Sequence, residues 1–152
     1  MARYALILFV IILASCTDIA KYEKFYHFED EQWLATDTAI FEIEIDDTNA
    51  SYNISLNLRH YNSYAFQNLW VQQTLITPSK NELVAKRNLS LGNKMGQWHG
   101  VALNDVVNVE IPTERKVMFS QAGKYQFKFV HLMRDHHLPD VLDFGITIEK
   151  NK

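Results

Sequence analysis

The chain has 152 residues, 47% hydrophobic and 22% charged, with a formal net charge of −3 and a single cysteine. That length suits one domain, and five glycines and three prolines are too few for a collagen-like or disordered chain. The near-neutral balance leaves no footprint for nucleic-acid binding, and one cysteine excludes an intrachain disulfide framework or a cysteine-rich zinc cluster.

The first residues read as an address. Met1-Ala2-Arg3-Tyr4 is a short positive start, followed by the unbroken apolar run Ala5 to Ala14 and then Ser15-Cys16. A bilayer-spanning helix needs about 20 apolar residues, so this run is a signal-peptide hydrophobic region. Leu13-Ala14-Ser15-Cys16 resembles the bacterial lipobox, in which the cysteine is diacylated on sulfur and becomes the new N-terminus. Residues 1–15 are therefore expected to be cleaved, 16–24 to form a lipidated start and short tether, and 25–152 to fold. Cleavage removes Arg3 and no acid, leaving 14 basic against 18 acidic residues, net −4. Thr17 stands where an aspartate would retain enteric lipoproteins at the inner membrane, so the outer membrane is the expected site, on either face.

Period-2 alternation dominates the rest of the chain. Phe41, Ile43 and Ile45 alternate with Glu42 and Glu44. Tyr52, Ile54, Leu56 and Leu58 alternate with Asn53, Ser55, Asn57 and Arg59. Tyr125, Phe127, Phe129 and Met133 form a third set, against Gln126 and Lys128. Each pattern describes a strand with one buried face. Weaker candidates are 22–28, 68–77, 101–111, 116–120 and 142–149. Turn chemistry falls between them, and only 79–86, with Ser79 as N-cap and Glu82 three residues on, reads as a short helix. About eight short strands imply an all-β fold, a single antiparallel β-sandwich of immunoglobulin or jelly-roll kind.

Three stretches break the alternation. Arg59 to Trp70 is dense in aromatic, amide and cationic side chains, which either plug one end of the sandwich or form a recognition surface. Gly92 to Gly100 packs three glycines around Trp98, consistent with a turn that presents or buries the indole, and lacks a phosphate-loop pattern. Met133 to Asp140 sets His136 and His137 beside Asp135 and Asp140, a combination that suits zinc or iron. Adjacent residues of an extended chain point opposite ways, however, so a closed site would need His27, His60, His99 or His131 as well. No metal is therefore expected. No serine elbow, zinc-protease helix or activated cysteine is present, so no catalytic residue is assigned. No cofactor is expected beyond covalent lipid on Cys16, and no nucleic-acid partner or small-molecule substrate.

Together these stretches resemble the gliding-motility lipoprotein family GldH of the Bacteroidota. The resemblance runs from the lipobox through Tyr22 to Trp33, Leu58-Arg59-His60, Tyr64, Phe66, Asn68-Leu69-Trp70 and Gly96-x-Trp98-x-Gly100. It ends with Met133-Arg134, Leu138-Pro139 and Asp143-Phe144-Gly145-Ile146 to Glu149-Lys150. Ala65 departs from a frequent proline and Asp140 from a frequent glycine. The resemblance implies a lipid-anchored, non-enzymatic accessory of gliding motility and, by extension, of the type IX secretion machinery, partnered by the membrane and an envelope protein complex. Arg59, His60, Tyr64, Asn68, Trp70, Trp98 and Arg134 are expected to converge at one end of the sandwich, as a plug or a partner-docking surface. The alternative is an envelope carbohydrate-binding module that stacks sugars on exposed tryptophans.

Overall fold

The computed structural model describes residues 21–151. Eleven strands follow one another: β1 (Lys21–His27), β2 (Gln32–Leu34), β3 (Ala39–Ile45), β4 (Tyr52–Tyr61), β5 (Asn68–Ile76), β6 (Glu82–Ser90), β7 (Val101–Leu103), β8 (Val106–Val117), β9 (Gly123–His131), β10 (His137–Pro139) and β11 (Val141–Lys150). A five-stranded sheet, in the order β1-β11-β4-β8-β7, lies against a four-stranded sheet in the order β3-β9-β5-β6. A two-stranded piece, β2 with β10, closes one end, and every pairing is antiparallel. The fold is thus the all-β antiparallel sandwich the alternation predicts, with more strands than expected. Among the described residues no helix is long and apolar enough to cross a membrane.

The alternation becomes the core directly. Ala39, Phe41, Ile43 and Ile45 of β3 are buried, as are Tyr52, Ile54, Leu56 and Leu58 of β4 and Tyr125, Phe127 and Phe129 of β9. Phe129 of one sheet meets Phe144 of the other with ring centroids 5.0 Å apart. Trp33, fully buried, packs on Phe144 at 5.0 Å and stacks on Phe28 at 4.6 Å, and its indole N–H donates to the Asp37 carbonyl at 3.1 Å. Leu138 pairs opposite Trp33 and is also fully buried, so the β2–β10 lid is held by one aromatic and one leucine.

Three local expectations are corrected. Residues 21–24, expected in the tether, open β1 and pair in register with β11 from Lys21 opposite Glu149. The stretch 79–86 is no helix. Ser79 and Asn81 bond Thr77 rather than cap a turn, Lys80 takes φ +67°, and the chain reverses into β6 against β5. Pairing with β5 along all of β6 replaces the frayed ends that an eight-residue helix would leave. The candidate 101–111 is two strands, because Asn104 at φ +54° turns β7 back onto β8.

The closing Asp143-Phe144-Gly145-Ile146 motif has a different reason at each position. Phe144 and Ile146 face the core, whereas Asp143 and Gly145 lie on the opposite face of β11, across from His27 and Phe25 of the neighbouring β1. A Cβ on Gly145 would sit 2.6 Å from Phe25 Cδ1 and 3.0 Å from the Lys24 carbonyl oxygen. Only glycine lets Phe25 lie flat there. Asp140, at φ +67°, holds the left-handed conformation that a glycine adopts without strain and aspartate tolerates.

Trp33→Ala should remove the lid's anchor and leave a cavity beneath β10. The expected loss is about 3–5 kcal/mol, a large share of a typical domain's roughly 5–15 kcal/mol. Urea unfolding with an unchanged m-value would measure it.

Candidate functional site

Leu56, Leu58 and His60 follow one another on the inward face of β4, so His60 is the last core position before the strand ends. Its ring meets Trp98 edge-on at 4.6 Å and Tyr64 at 5.3 Å. A tight turn sets Tyr64 there, its N–H bonding the Tyr61 carbonyl at 3.0 Å and its hydroxyl donating to the Asn68 carbonyl at 3.3 Å. Trp98 is placed by its own loop. Asn93 Oδ1 accepts from the N–H groups of Met95 and Gln97, and Gly96 takes φ +81°. The indole N–H then donates to Asn62 Oδ1 at 2.7 Å. Gly100 is required outright: at φ +102°, a Cβ would collide with the Asn108 carbonyl oxygen on β8. His60, Tyr64 and Trp98 therefore form a plug.

A groove lies beside the plug, joined to it by Phe66, whose ring is 5.8 Å from Tyr64. On β5, Leu69 and Val71 point inward, so Asn68 and Trp70 point out, and Trp70 is 42% exposed. Trp70 N–H donates to Met133 Sδ at 3.3 Å, and the Leu132 N–H donates to the Trp70 carbonyl at 2.7 Å, which fixes the 132–135 segment alongside. Asn68 Nδ2 donates to Asn88 Oδ1 at 2.7 Å. The resulting depression, about 640 Å³, is lined by Phe66, Asn68, Trp70, Lys86, Leu132, Met133, Arg134 and Asp135. Arg134 is exposed and forms no ion pair with the described residues.

The seven candidate residues thus divide. His60, Tyr64 and Trp98 make the plug, and Asn68, Trp70 and Arg134 the groove. Arg59 belongs to neither, because it alternates with His60 and lies on the outer face of the five-stranded sheet. There Nη1 bonds Asp143 Oδ2 at 2.8 Å, while His27 Nδ1 meets Asp143 Oδ1 at 2.8 Å. This clasp ties β1, β11 and β4 together, so Arg59 is committed to the fold rather than offered to a partner. Of the two tryptophans, Trp70 alone borders the groove; Trp98 is half-buried with its N–H satisfied.

The core burial of two histidines escapes a reading for motifs. His131 continues the inward series Tyr125-Phe127-Phe129 and is buried edge-on to Trp33 at 5.6 Å. His60 ends the corresponding series on β4. Both positions follow from carrying the alternation two residues further. His60 Nδ1 faces the Tyr61 carbonyl oxygen at 2.8 Å, leaving Nε2 unpaired, and neither ring nitrogen of His131 has a partner in hydrogen-bond geometry. Burial pushes both imidazoles below the ordinary histidine value and the Tyr64 hydroxyl well above the ordinary phenol value. His136 and His137 are exposed, and among the described residues no three metal-ligating side chains cluster.

A histidine whose folded pKa is depressed leaves the unfolded chain binding more protons. Stability held by the two neutral rings is complete above the ordinary value of 6.5 and drains away as pH falls below it toward the folded values. The unfolding free energy should therefore decline as pH falls below 6.5, and His131→Leu should flatten that decline in parallel denaturant titrations. Plug and groove also separate energetically. Trp98→Ala should cost about 2 kcal/mol or more by loss of packing, while Trp70→Ala should stay within about 0.5 kcal/mol, both read from chemical unfolding midpoints.

The family model described as "GldH lipoprotein" matches residues 20–148. A protein of Christiangramia forsetii named "Gliding motility lipoprotein GldH homolog" is 23% identical over 149 residues, covering 93% of this chain and 91% of that protein. "Gliding motility lipoprotein GldH" of Flavobacterium johnsoniae is 26% identical over 152 residues, covering 95% of this chain and 94% of that protein. With the match running from before β1 into β11, the chain belongs to the GldH lipoprotein family.

Proposed function

We propose that this protein is a lipid-anchored, non-enzymatic accessory of gliding motility, docking a protein of the motility and type IX secretion complex through the groove at Trp70. The observation that carries this reading is the family match across nearly the whole folded domain, with both curated relatives bearing a gliding-motility lipoprotein name. Cys16 falls outside the described residues, and its acylation rests on the lipobox-like 13–16. Two or more acyl chains make membrane attachment durable where one does not. The outer membrane is the proposed site, on the strength of Thr17.

The groove supports a docking role by its chemistry. An exposed tryptophan beside methionine, with an arginine at the rim, is the composition of interface hot spots. Arg134 offers a planar set of donors to a carboxylate or carbonyl on the partner. The glycan-binding reading has less to stand on. Sugar stacking would use Trp70 alone, and the Asn68 amide beside it already donates to Asn88.

Crosslinking of the anchored protein in its own envelope tests the reading. Secretion or motility components are the expected captures, reduced at least tenfold by the pair Trp70→Ala and Arg134→Ala with folding intact. Capture unaffected by the pair, or glycan binding that Trp70→Ala abolishes, would count against it. Cys16→Ala should release the protein from membranes into the soluble fraction. Persistent acylation of that variant would refute the anchor.

A further inference from the structure

The aromatic plug and groove occupy one end of the sandwich, and the other end carries an apolar lip that the fold leaves uncovered. Strand registers place together, at that second end, Lys21 opposite Glu149, Tyr52 opposite Val117, Ile45 opposite Gly123 and Ile76 opposite Glu82. Leu83 and Val84 of β6 are each 60% exposed there, and Met118, just beyond β8, is 65% exposed.

Leu83 is not an ordinary surface leucine. It lies in the inward set of β6 with Ala85, Arg87 and Leu89, and Leu89 is buried. The two sheets are clasped at Arg87, whose Nη2 meets Glu114 Oε1 at 2.6 Å and whose Nε donates to Gln73 at 2.7 Å. Beyond that clasp they part around a cleft of about 300 Å³. Its floor includes Ile54, Phe119 and Phe127, all buried, and its rim is Leu83, Val84 and Met118. An edge strand facing water is normally blunted by charge. Here three apolar residues occupy the rim, with Lys80, Arg115 and Lys116 exposed nearby in sequence and Glu82 at the strand start.

The chain that precedes β1 limits how far this end can lie from Cys16. Cys16 precedes Lys21 by five residues, so the covalent chain holds it within roughly 17 Å of the start of β1. From Lys21 to Val117 is three strand spacings across the sheet, about 14 Å. An acylated Cys16 keeps the apolar lip within a few nanometres of the bilayer, whereas the plug lies at the far ends of strands nine or ten residues long.

We infer that the β1 end of the sandwich seats on the membrane. Leu83, Val84 and Met118 enter the boundary between headgroups and acyl chains, and Lys80, Arg115 and Lys116 lie at the level of the lipid phosphates. The groove at Trp70 then faces away from the bilayer. Burying apolar surface that the fold itself leaves wet stabilises this orientation. The inference rests on acylation of Cys16.

The test uses the mature acylated protein reconstituted in phosphatidylethanolamine and phosphatidylglycerol vesicles. A single environment-sensitive fluorophore is placed at Val84→Cys, Met118→Cys or, at the opposite end, Leu103→Cys. All three positions are exposed, and circular dichroism checks each fold. Flotation with the vesicles reports the anchor, and quenching by lipids carrying a spin label on the acyl chain reports seating. The expected result is flotation of every variant, with blue-shifted emission and at least twofold stronger quenching at 84 and 118 than at 103. Flotation with equal quenching at all three sites, or stronger quenching at 103, overturns the seating and leaves the anchor standing. Failure to float overturns both.

Discussion

The structure depends on one aromatic seam. Phe129 against Phe144 joins the two sheets, and Trp33, set between Phe28, Phe144 and His131, locks the β2–β10 lid over their end. Flat rings bury large areas per residue and keep few rotamers. A domain without a disulfide can therefore hold the nine strands of its two sheets in register with the short β2–β10 pair. Everything at that end, from the turn at Tyr64 to the 132–135 segment, is positioned by elements that leave this seam.

The same seam accounts for the two buried histidines. Each ends an inward series whose earlier members are wholly apolar or aromatic, so each imidazole enters a place walled largely by rings, where only His60 Nδ1 meets a partner, the Tyr61 carbonyl oxygen. Neutral, the imidazole packs as a small aromatic; charged, it has no counter-ion within the core. The plug is thus aromatic in substance although one of its three members is titratable.

Function divides along the strand alternation as well. On β4, His60 enters the plug while Arg59 joins the Asp143 clasp one residue away. On β5, Leu69 enters the core while Trp70 forms the groove. A single stretch of twelve residues, dense in aromatic and polar side chains, therefore supplies packing, sheet closure and exposed surface at once. The Asp143-Phe144-Gly145-Ile146 segment behaves alike: two residues face the core, one the clasp and one the ring of Phe25.

Period-2 alternation determined, without any structure, the fold class and the inward faces of β3, β4 and β9, because side chains on a pleated strand have no other way to segregate. The order of aromatic, glycine and charged positions likewise determined the family. Three-residue strands such as β2 and β10 are too short to show a period, and the 79–86 stretch reads equally well as a capped helix until β5 lies beside it. Which of the candidate residues stay exposed was decided only by tertiary structure. Arg59 and Arg134 are the same side chain in similar polar company, and the difference between them is that Asp143, 84 residues further along, arrives beside one and not the other.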